Sequence, residues 1–229
     1  MSEKSVFPSL ELTRNPNISA DVLAELAKAE ELAIRFEVAR NKNTSAEILS
    51  ELAEDKFYSV RMEVARNANT PAEVLHRLSK EVDSSYIIQW EIARNQNTSA
   101  ETLADLAKNQ NTQIDYWIAE NKNTSTETLA ELASSDDSYV CCAVTRNKNT
   151  SAETLAALAK EEDDQIRWWV AHNKNTPVKV LKELADDAYE DLKVREAAAK
   201  TISQIDLLNP KMSIEPVSRK KETASSMKM

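Results

Sequence analysis

The sequence contains no glycine, and this absence removes the most common way of ending a helix. Glycine is the usual left-handed residue after a helix, and asparagine is its common substitute. A chain without glycine also cannot form the glycine-rich loop that cradles a phosphate group. Asparagine recurs here at one place in a repeated phrase, so we expect it to end helices where glycine otherwise would.

Cysteine and histidine are scarce as well. The only cysteines, Cys141 and Cys142, are neighbours, which excludes a disulfide framework and indicates reduced, buried thiols. The two histidines, His76 and His172, are far apart in the chain, and no metal-ligand spacing is present. We therefore predict no metal, no cofactor and no catalytic residues, and we expect a protein that is not an enzyme.

Long apolar runs are missing, and acidic residues outnumber basic ones. No run is long enough for a transmembrane helix, and the first residues lack the apolar stretch of a signal peptide, so we expect a cytoplasmic protein. The formal charge is -9 and the pI is about 5.0. This balance disfavours nucleic acids and anionic membranes as partners, because both are bound through basic residues.

A phrase that opens with asparagine recurs seven times along the chain. The spacing is 26 residues, except for one of 28 between Asn67 and Asn95, whose extra pair we place in a loop at 81–85. We call the repeats units one to seven and count positions in each unit from its opening asparagine. In order, these asparagines are Asn15, Asn41, Asn67, Asn95, Asn121, Asn147 and Asn173.

Each unit is predicted to form two short helices. In unit two, Thr44 and Glu47 have the spacing of a capping box at the start of the first helix. In unit three, Pro71 is expected at the first helical position. Positions 9, 12 and 13 of the first helix and 20 and 24 of the second are apolar and predicted to form the core. Asn67 is predicted to end the second helix of unit two in the left-handed conformation.

Helices this short are not stable alone and need neighbours on both sides. Stacked identical hairpins supply these neighbours, so the pattern predicts an all-α fold, an α-solenoid of about seven two-helix repeats. We divide the chain into an N-terminal cap over 1–14, the solenoid over 15–203 and a flexible polar tail over 204–229. Val6, Phe7, Leu10 and Leu12 are expected to cover the first unit, and a longer last helix is expected over 186–203.

The repeated phrase VRxxVAxNxNTPxxxLxxLAxD resembles the leucine-rich repeat variant family, and the likeness runs from about Asn15 to Lys200. The resemblance implies a right-handed, HEAT-like superhelix of short helices, whose second helices line the concave surface. It implies little about function, because family members share little biochemistry. The period of 26 residues is longer than that of the family. This N-terminus also lacks the cysteine cluster of a family member with an iron–sulfur module, so that cofactor is not expected here.

Two variable positions of the second helix are the candidate binding site. Position 22 is a column of large or soft apolar side chains on a predicted outward face, and position 26, one turn later, is mostly basic. Aromatic and arginine side chains at regular intervals along a groove suit an extended ligand. The position-22 residues are Phe36, Met62, Trp90, Tyr116, Cys142 and Trp168, and those at position 26 are Arg40, Arg66, Arg94, Glu120, Arg146 and His172. Trp117 and Trp169 at position 23 extend the aromatic surface.

A second interpretation of these columns remains open at this stage. The position-22 side chains could pack against the neighbouring unit as core, and the arginines could pair with Glu37, Glu63 and Glu91 on their own helices. Arginine near the C-terminus of a helix is also favoured by the helix dipole.

The sequence thus predicts a monomeric scaffold that binds a protein or an extended peptide along the groove of the second helices. One alternative is a nucleic-acid-binding protein of the HEAT-like DNA glycosylase type, for which Trp90, Trp168, Trp169 and Asp115 would be candidates. Another is an immunity or assembly protein that uses its acidic surface to bind a basic partner.

Overall fold

The computed structural model describes residues 10–80 and 86–208 of the 229-residue chain. All regular elements in these ranges are helices, and two of them fall in each unit. The first helices are α1 (Ala20–Leu26), α3 (Ala46–Leu52), α5 (Ala72–Ser79), α7 (Ala100–Ala107), α9 (Thr126–Leu132), α11 (Ala152–Leu158) and α13 (Val178–Asp186). The second helices are α2 (Leu32–Arg40), α4 (Tyr58–Arg66), α6 (Tyr86–Arg94), α8 (Thr112–Glu120), α10 (Ser138–Arg146), α12 (Asp164–His172) and α14 (Leu192–Leu208). The predicted solenoid of seven two-helix units is confirmed.

One continuous core runs through the stack, at the positions that the sequence predicted. The position-9 leucine is fully buried in every unit, as Leu49 and Leu155 illustrate, and Val60 and Val64 are fully buried at positions 20 and 24 of unit two. Position 13 is only partly buried in most units. Since each helix is too short to hold itself together, this shared core supplies most of its stability.

The two layers of helices are packed unequally. Each second helix packs against the second helix of the next unit more extensively than successive first helices pack against each other. Closer packing in one layer than in the other curves a stack toward the closer layer. The second helices therefore form the inner side of the array.

The residue that caps the first helix is not the one predicted. Ser45, not Thr44, is the N-cap of α3, and its hydroxyl accepts a hydrogen bond from the amide of Ile48. Thr44 lies one residue too early to cap the helix. It is fully buried and donates from Oγ1 to the carbonyl oxygen of Val38 at 2.5 Å, a bond that recurs in the later units. Pro71 occupies the N-cap position of α5 rather than the first helical position.

The opening asparagines also act differently from the prediction of a left-handed helix end. Asn67 has φ -67 and ψ 129, which is an extended conformation. Its side chain donates from Nδ2 to the carbonyl oxygens of Ala39, near the end of unit one, and Asn41, at the start of unit two, at 2.7 and 2.9 Å. Its Oδ1 accepts from the amide of Asn69. The asparagine thus bonds one unit to the next, and among the described residues only Gln110 has a positive φ, of 50.

The ends of the array differ partly from the predicted boundaries. Residues 10–13 are helical, and Leu10 packs against the core, whereas Val6 and Phe7 lie outside the described residues. The loop expected at 81–85 also lies outside them. The last helix begins at Leu192 instead of residue 186, and it continues through 204–208, which the sequence had assigned to the tail. The rest of the predicted tail, 209–229, is not among the described residues.

Candidate binding groove

The position-22 side chains are neither fully exposed in the groove nor fully buried in the core, the two locations that the sequence left open. Five of them are half-buried, with one part against the core and another part accessible: Phe36, Met62, Trp90, Tyr116 and Trp168. Cys142 is the exception, because only 8% of it is exposed. Helical geometry alone places position 22 opposite the core, but the adjacent second helix covers part of each side chain.

Position 26 forms an exposed row beside this column. The last residue of each second helix from α2 to α12 is exposed: Arg40, Arg66, Arg94, Glu120, Arg146 and His172. All but Glu120 carry or can carry positive charge. Because each lies at the C-terminus of its helix, the helix dipole favours the cation there.

In the first half of the array, Arg66 and Arg14, the residue just before unit one, each reach across to a glutamate of the following second helix. Arg14 donates from Nε to Glu37 at 2.9 Å, and Arg66 donates from Nε to Glu91 at 2.9 Å. Arg66 also pairs with Glu63 on its own helix, at 2.7 Å. The glutamates are buried, and burial raises the pKa of Glu63 even though Arg66 opposes that shift. The ion pairs thus link neighbouring second helices, which the prediction of pairing within one helix captured only in part.

From unit four on, position 23 holds Trp117, Ala143 and Trp169 instead of glutamate. Arg94 and Arg146 stack on rings in addition to pairing with Glu91 and Glu120. The guanidinium of Arg94 lies 4.3 Å from the ring centroid of Trp90 and 4.5 Å from that of Trp117. The two rings are 5.7 Å apart and nearly perpendicular. Arg146 lies 5.0 Å from the ring centroid of Trp169. Cation–π contacts of this kind hold flat aromatic surfaces in fixed positions.

A second aromatic cluster lies at the end of α12. Trp168 and Trp169 meet edge to face at 4.7 Å, and the ring of His172 lies 4.0 Å from that of Trp168. His172 Nδ1 is 2.8 Å from the carbonyl oxygen of Trp168, which fixes the imidazole against the helix. The groove thus contains two rigid aromatic groups, one in units three and four and one in unit six.

Open clefts recur between successive units along the same edge. One of about 400 Å³ is lined by Arg14, Glu37, Arg40 and Lys42, and one of about 180 Å³ lies beside Glu63 and Arg66. A third, of about 510 Å³, has Trp169 where the first two have a glutamate. A still larger cleft of about 860 Å³ opens between α11 and α13, away from the groove, and is lined mainly by charged side chains.

Asp115 does not belong to the exposed surface of the groove. Only 7% of it is exposed, and its Oδ1 has no hydrogen-bond partner among the described residues. Loss of solvation raises the pKa of its carboxyl group to about 6. The exposed tryptophan edges and this carboxyl group therefore do not share one accessible site.

The lysines at position 2, on the turns between units, border the clefts and were not among the predicted site residues. Lys42, Lys122, Lys148 and Lys174 are all exposed there. Their signal was the recurring phrase NKN, which was explained by its asparagines alone.

Within residues 10–80 and 86–208, no group of three or more His, Cys, Asp or Glu side chains is placed to hold a metal ion. No helix in the same ranges has both the length and the hydropathy needed to cross a membrane.

The likeness of this chain to known proteins lies in its fold. A solved leucine-rich repeat variant with a novel repetitive structural motif matches with a TM-score of 0.57 and 20% identity, over 86% of this chain and 82% of that one. An archaeal HEAT-like repeats protein from Thermococcus onnurineus NA1 matches with a TM-score of 0.36 and 13% identity, over 89% of this chain and 93% of that one. No protein-family model matches the sequence, and no curated protein matches it either. The likeness that the repeated phrase predicted is confirmed at the level of the fold.

Proposed function

We propose that this α-solenoid, with the fold of a leucine-rich repeat variant, is a non-enzymatic scaffold that binds an extended peptide or a segment of a protein. The ligand lies along the second helices, across positions 22, 23 and 26. A regular concave surface of this kind offers each successive part of an extended ligand the same set of contacts.

The observation that carries this proposal is the row of half-buried aromatic rings held by arginines. Trp90 and Trp117 share the guanidinium of Arg94, and Trp169 has that of Arg146. A ring whose position is already fixed loses little conformational entropy when a ligand covers it. Tryptophan and arginine are also the residues most enriched among those that dominate binding energy at interfaces.

Selection from a random-peptide library against the folded protein tests the proposal. Ligands selected on the natural protein should bind the Trp90→Ala/Trp168→Ala variant at least about thirtyfold more weakly, because each tryptophan is expected to be a dominant contact. The matched control is Tyr86→Ala/Tyr139→Ala. It removes two aromatic rings that are 59% and 75% exposed, at the opposite ends of their helices from position 26, and should leave the affinity unchanged.

A second variant separates binding from folding. Arg94→Ala/Arg146→Ala removes the stacked guanidinium groups but leaves all the rings in place, and both arginines are at exposed positions. We expect weaker binding with a nearly unchanged melting temperature. Selected ligands that bind both variants as tightly as the natural protein would overturn the proposal, as would failure to select any ligand.

A further inference from the structure

The turns between units form an edge of exposed lysines without ionic partners. Lys122, Lys148 and Lys174 occupy position 2 of three consecutive units, and Lys42 occupies it in unit two. Within the part of the chain that the structure describes, none of the four makes an ion pair, whereas Arg66 and Arg146 at the neighbouring position 26 do. The lysine charges are therefore available to a ligand.

The backbone carbonyl groups of two of these lysines are already hydrogen-bonded. The carbonyl oxygen of Lys122 accepts a hydrogen bond from Asn149 Nδ2 at 2.8 Å, and that of Lys148 accepts one from Asn175 Nδ2 at 2.7 Å. The asparagine bonds between units thus occupy the carbonyl groups, while the ammonium groups remain in solvent. The ammonium groups therefore give this edge a positive charge that faces the solvent.

The cleft at the end of this edge differs from the other clefts in its charge. It is about 510 Å³ and is lined by Arg146, Lys148, Trp169, His172 and Lys174, together with threonine and asparagine side chains. No carboxylate is in that lining, whereas Glu37 and Glu63 line the corresponding clefts of the first units. Arg146 is held from the other side by Glu120 at 3.1 Å, which leaves the two lysines as the unpaired cations.

We propose that the turn edge of units five to seven binds an acidic, extended protein segment, whose carboxylates pair with Lys122, Lys148 and Lys174 and which packs against Trp169. This inference rests on the proposed function and specifies its ligand. The charge complementarity is direct, because the edge carries cations and its cleft contains no acid.

The spacing of the units restricts the sequence of that segment. Packed helices lie about 8–10 Å apart, so consecutive position-2 lysines recur at about that interval. A polyproline II segment has three residues per turn and rises about 3.1 Å per residue, so every third side chain returns to the same side after about 9 Å. The ligand should therefore carry an acidic residue at every third position and adopt this left-handed helix.

A nucleic acid fits this edge less well. One strand of a duplex carries one phosphate per about 3.4 Å of helix axis, a much denser charge than one lysine per unit.

Fluorescence anisotropy with labelled synthetic peptides tests this inference. A proline-rich peptide with glutamate at every third position should bind at least about tenfold more tightly than a peptide of equal composition with its glutamates consecutive. Replacing Lys148 and Lys174 by alanine should weaken that binding about tenfold, since exposed ion pairs contribute modestly one by one. The charge-matched control is Lys56→Ala/Lys160→Ala, which changes two exposed lysines in the loops within units and should have no effect.

Equal affinity for both glutamate arrangements would overturn the inference, and so would tighter binding of a single-stranded oligonucleotide of equal charge. The outcome also separates this inference from the proposed function. If library ligands depend on Trp90 and Trp168 but have no acidic residue at every third position, the scaffold function stands and the acidic ligand is wrong. If neither the selected nor the designed peptides bind, both are wrong.

Discussion

At the residue scale, Asp115 departs from what other units have at position 21. Arg35 donates from Nη1 to the carbonyl oxygens of Ala29 and Glu30, and the Cys141 thiol donates to that of Ser135. The side chain at this position thus donates hydrogen bonds to carbonyl groups of the loop between the two helices of its unit. An ionised Asp115 cannot donate a hydrogen bond, and burial raises the pKa of its carboxyl group to about 6.

We expect Asp115→Asn to stabilise the protein at alkaline pH. The pKa of Asp115 in the folded state is higher than its unfolded value of 3.8, so folding favours the protonated form. The free energy of unfolding therefore falls as the pH rises from about 4 to 6, by up to about 3 kcal/mol. The asparagine has no charge to bury and can donate to the loop, so its gain should be about 1–3 kcal/mol at pH 8 and small near pH 4.

Urea unfolding at the two pH values measures this difference. Asp136→Asn, at an exposed position of the next loop, is the control and should change stability little at either pH. If Asp115→Asn stabilised the protein equally at both pH values, the loss of stability would not come from an ionised carboxyl group at Asp115.

At the scale of the element, a threonine and a serine that are adjacent in sequence have separate tasks. Thr98 Oγ1 donates to the carbonyl oxygen of Ile92 near the end of α6, and Ser99 Oγ accepts from the amide of Thr102 at the start of α7. The first bond is buried, and the second is only partly so. The pair therefore joins the end of one helix to the start of the next.

We expect Thr98→Val to cost more stability than Ser99→Ala. The valine keeps the shape of threonine but leaves the buried Ile92 carbonyl without this partner, for a loss of about 1–3 kcal/mol. Loss of the serine cap should cost about 1 kcal/mol. Chemical denaturation of both single variants measures the two effects, and the reverse order would show that the buried threonine bond contributes less than the serine cap.

At the scale of the whole molecule, the asparagine bonds determine how strongly successive units are coupled. Asn121 is 1% exposed and donates from Nδ2 to the carbonyl oxygens of Ala93 and Asn95, at 2.8 and 2.9 Å. Similar bonds join the other units of the array, so each interface has its own polar link beside the apolar core. In a solenoid such nearest-neighbour links decide whether the units unfold together.

Asn121→Ala should therefore weaken one interface in the middle of the array. The loss of its hydrogen bonds, with buried carbonyl groups left behind, should lower the free energy of unfolding by about 2–4 kcal/mol. It should also broaden the denaturation curve, because the two halves become less coupled. Asn109→Ala, at an exposed loop position, is the control for asparagine removal and should have little effect. If the two variants unfold alike, the asparagine bonds do not couple the units.

The charges of the molecule are separated between its two long edges. The loops between the two helices of units five and six carry Asp136, Asp137, Glu161, Glu162 and Asp163. At the turns between units, positions 2 and 26 carry four lysines and four arginines, with Glu120 as the one acidic residue. The formal charge of -9 is a sum over the whole chain, so it gives no indication of the basic edge.

The sequence by itself determined the solenoid, its seven units and its core. The apolar positions recur at helical spacing within a fixed period, and short helices of that pattern can be buried only by stacking. Leu49, Leu155 and Val60 are buried for that reason, and each could be assigned from its place in the repeat alone.

Only the tertiary structure decided the tasks of the asparagines, the caps and the groove residues. The partners of Asn67 are 26 and 28 residues away, and Arg94 stacks on Trp117 in the following unit. Such contacts depend on the distance and rotation between adjacent units, which no pattern within one unit contains. For the same reason, the half-buried state of Trp90 follows from the helix packed beside it rather than from its own helical position.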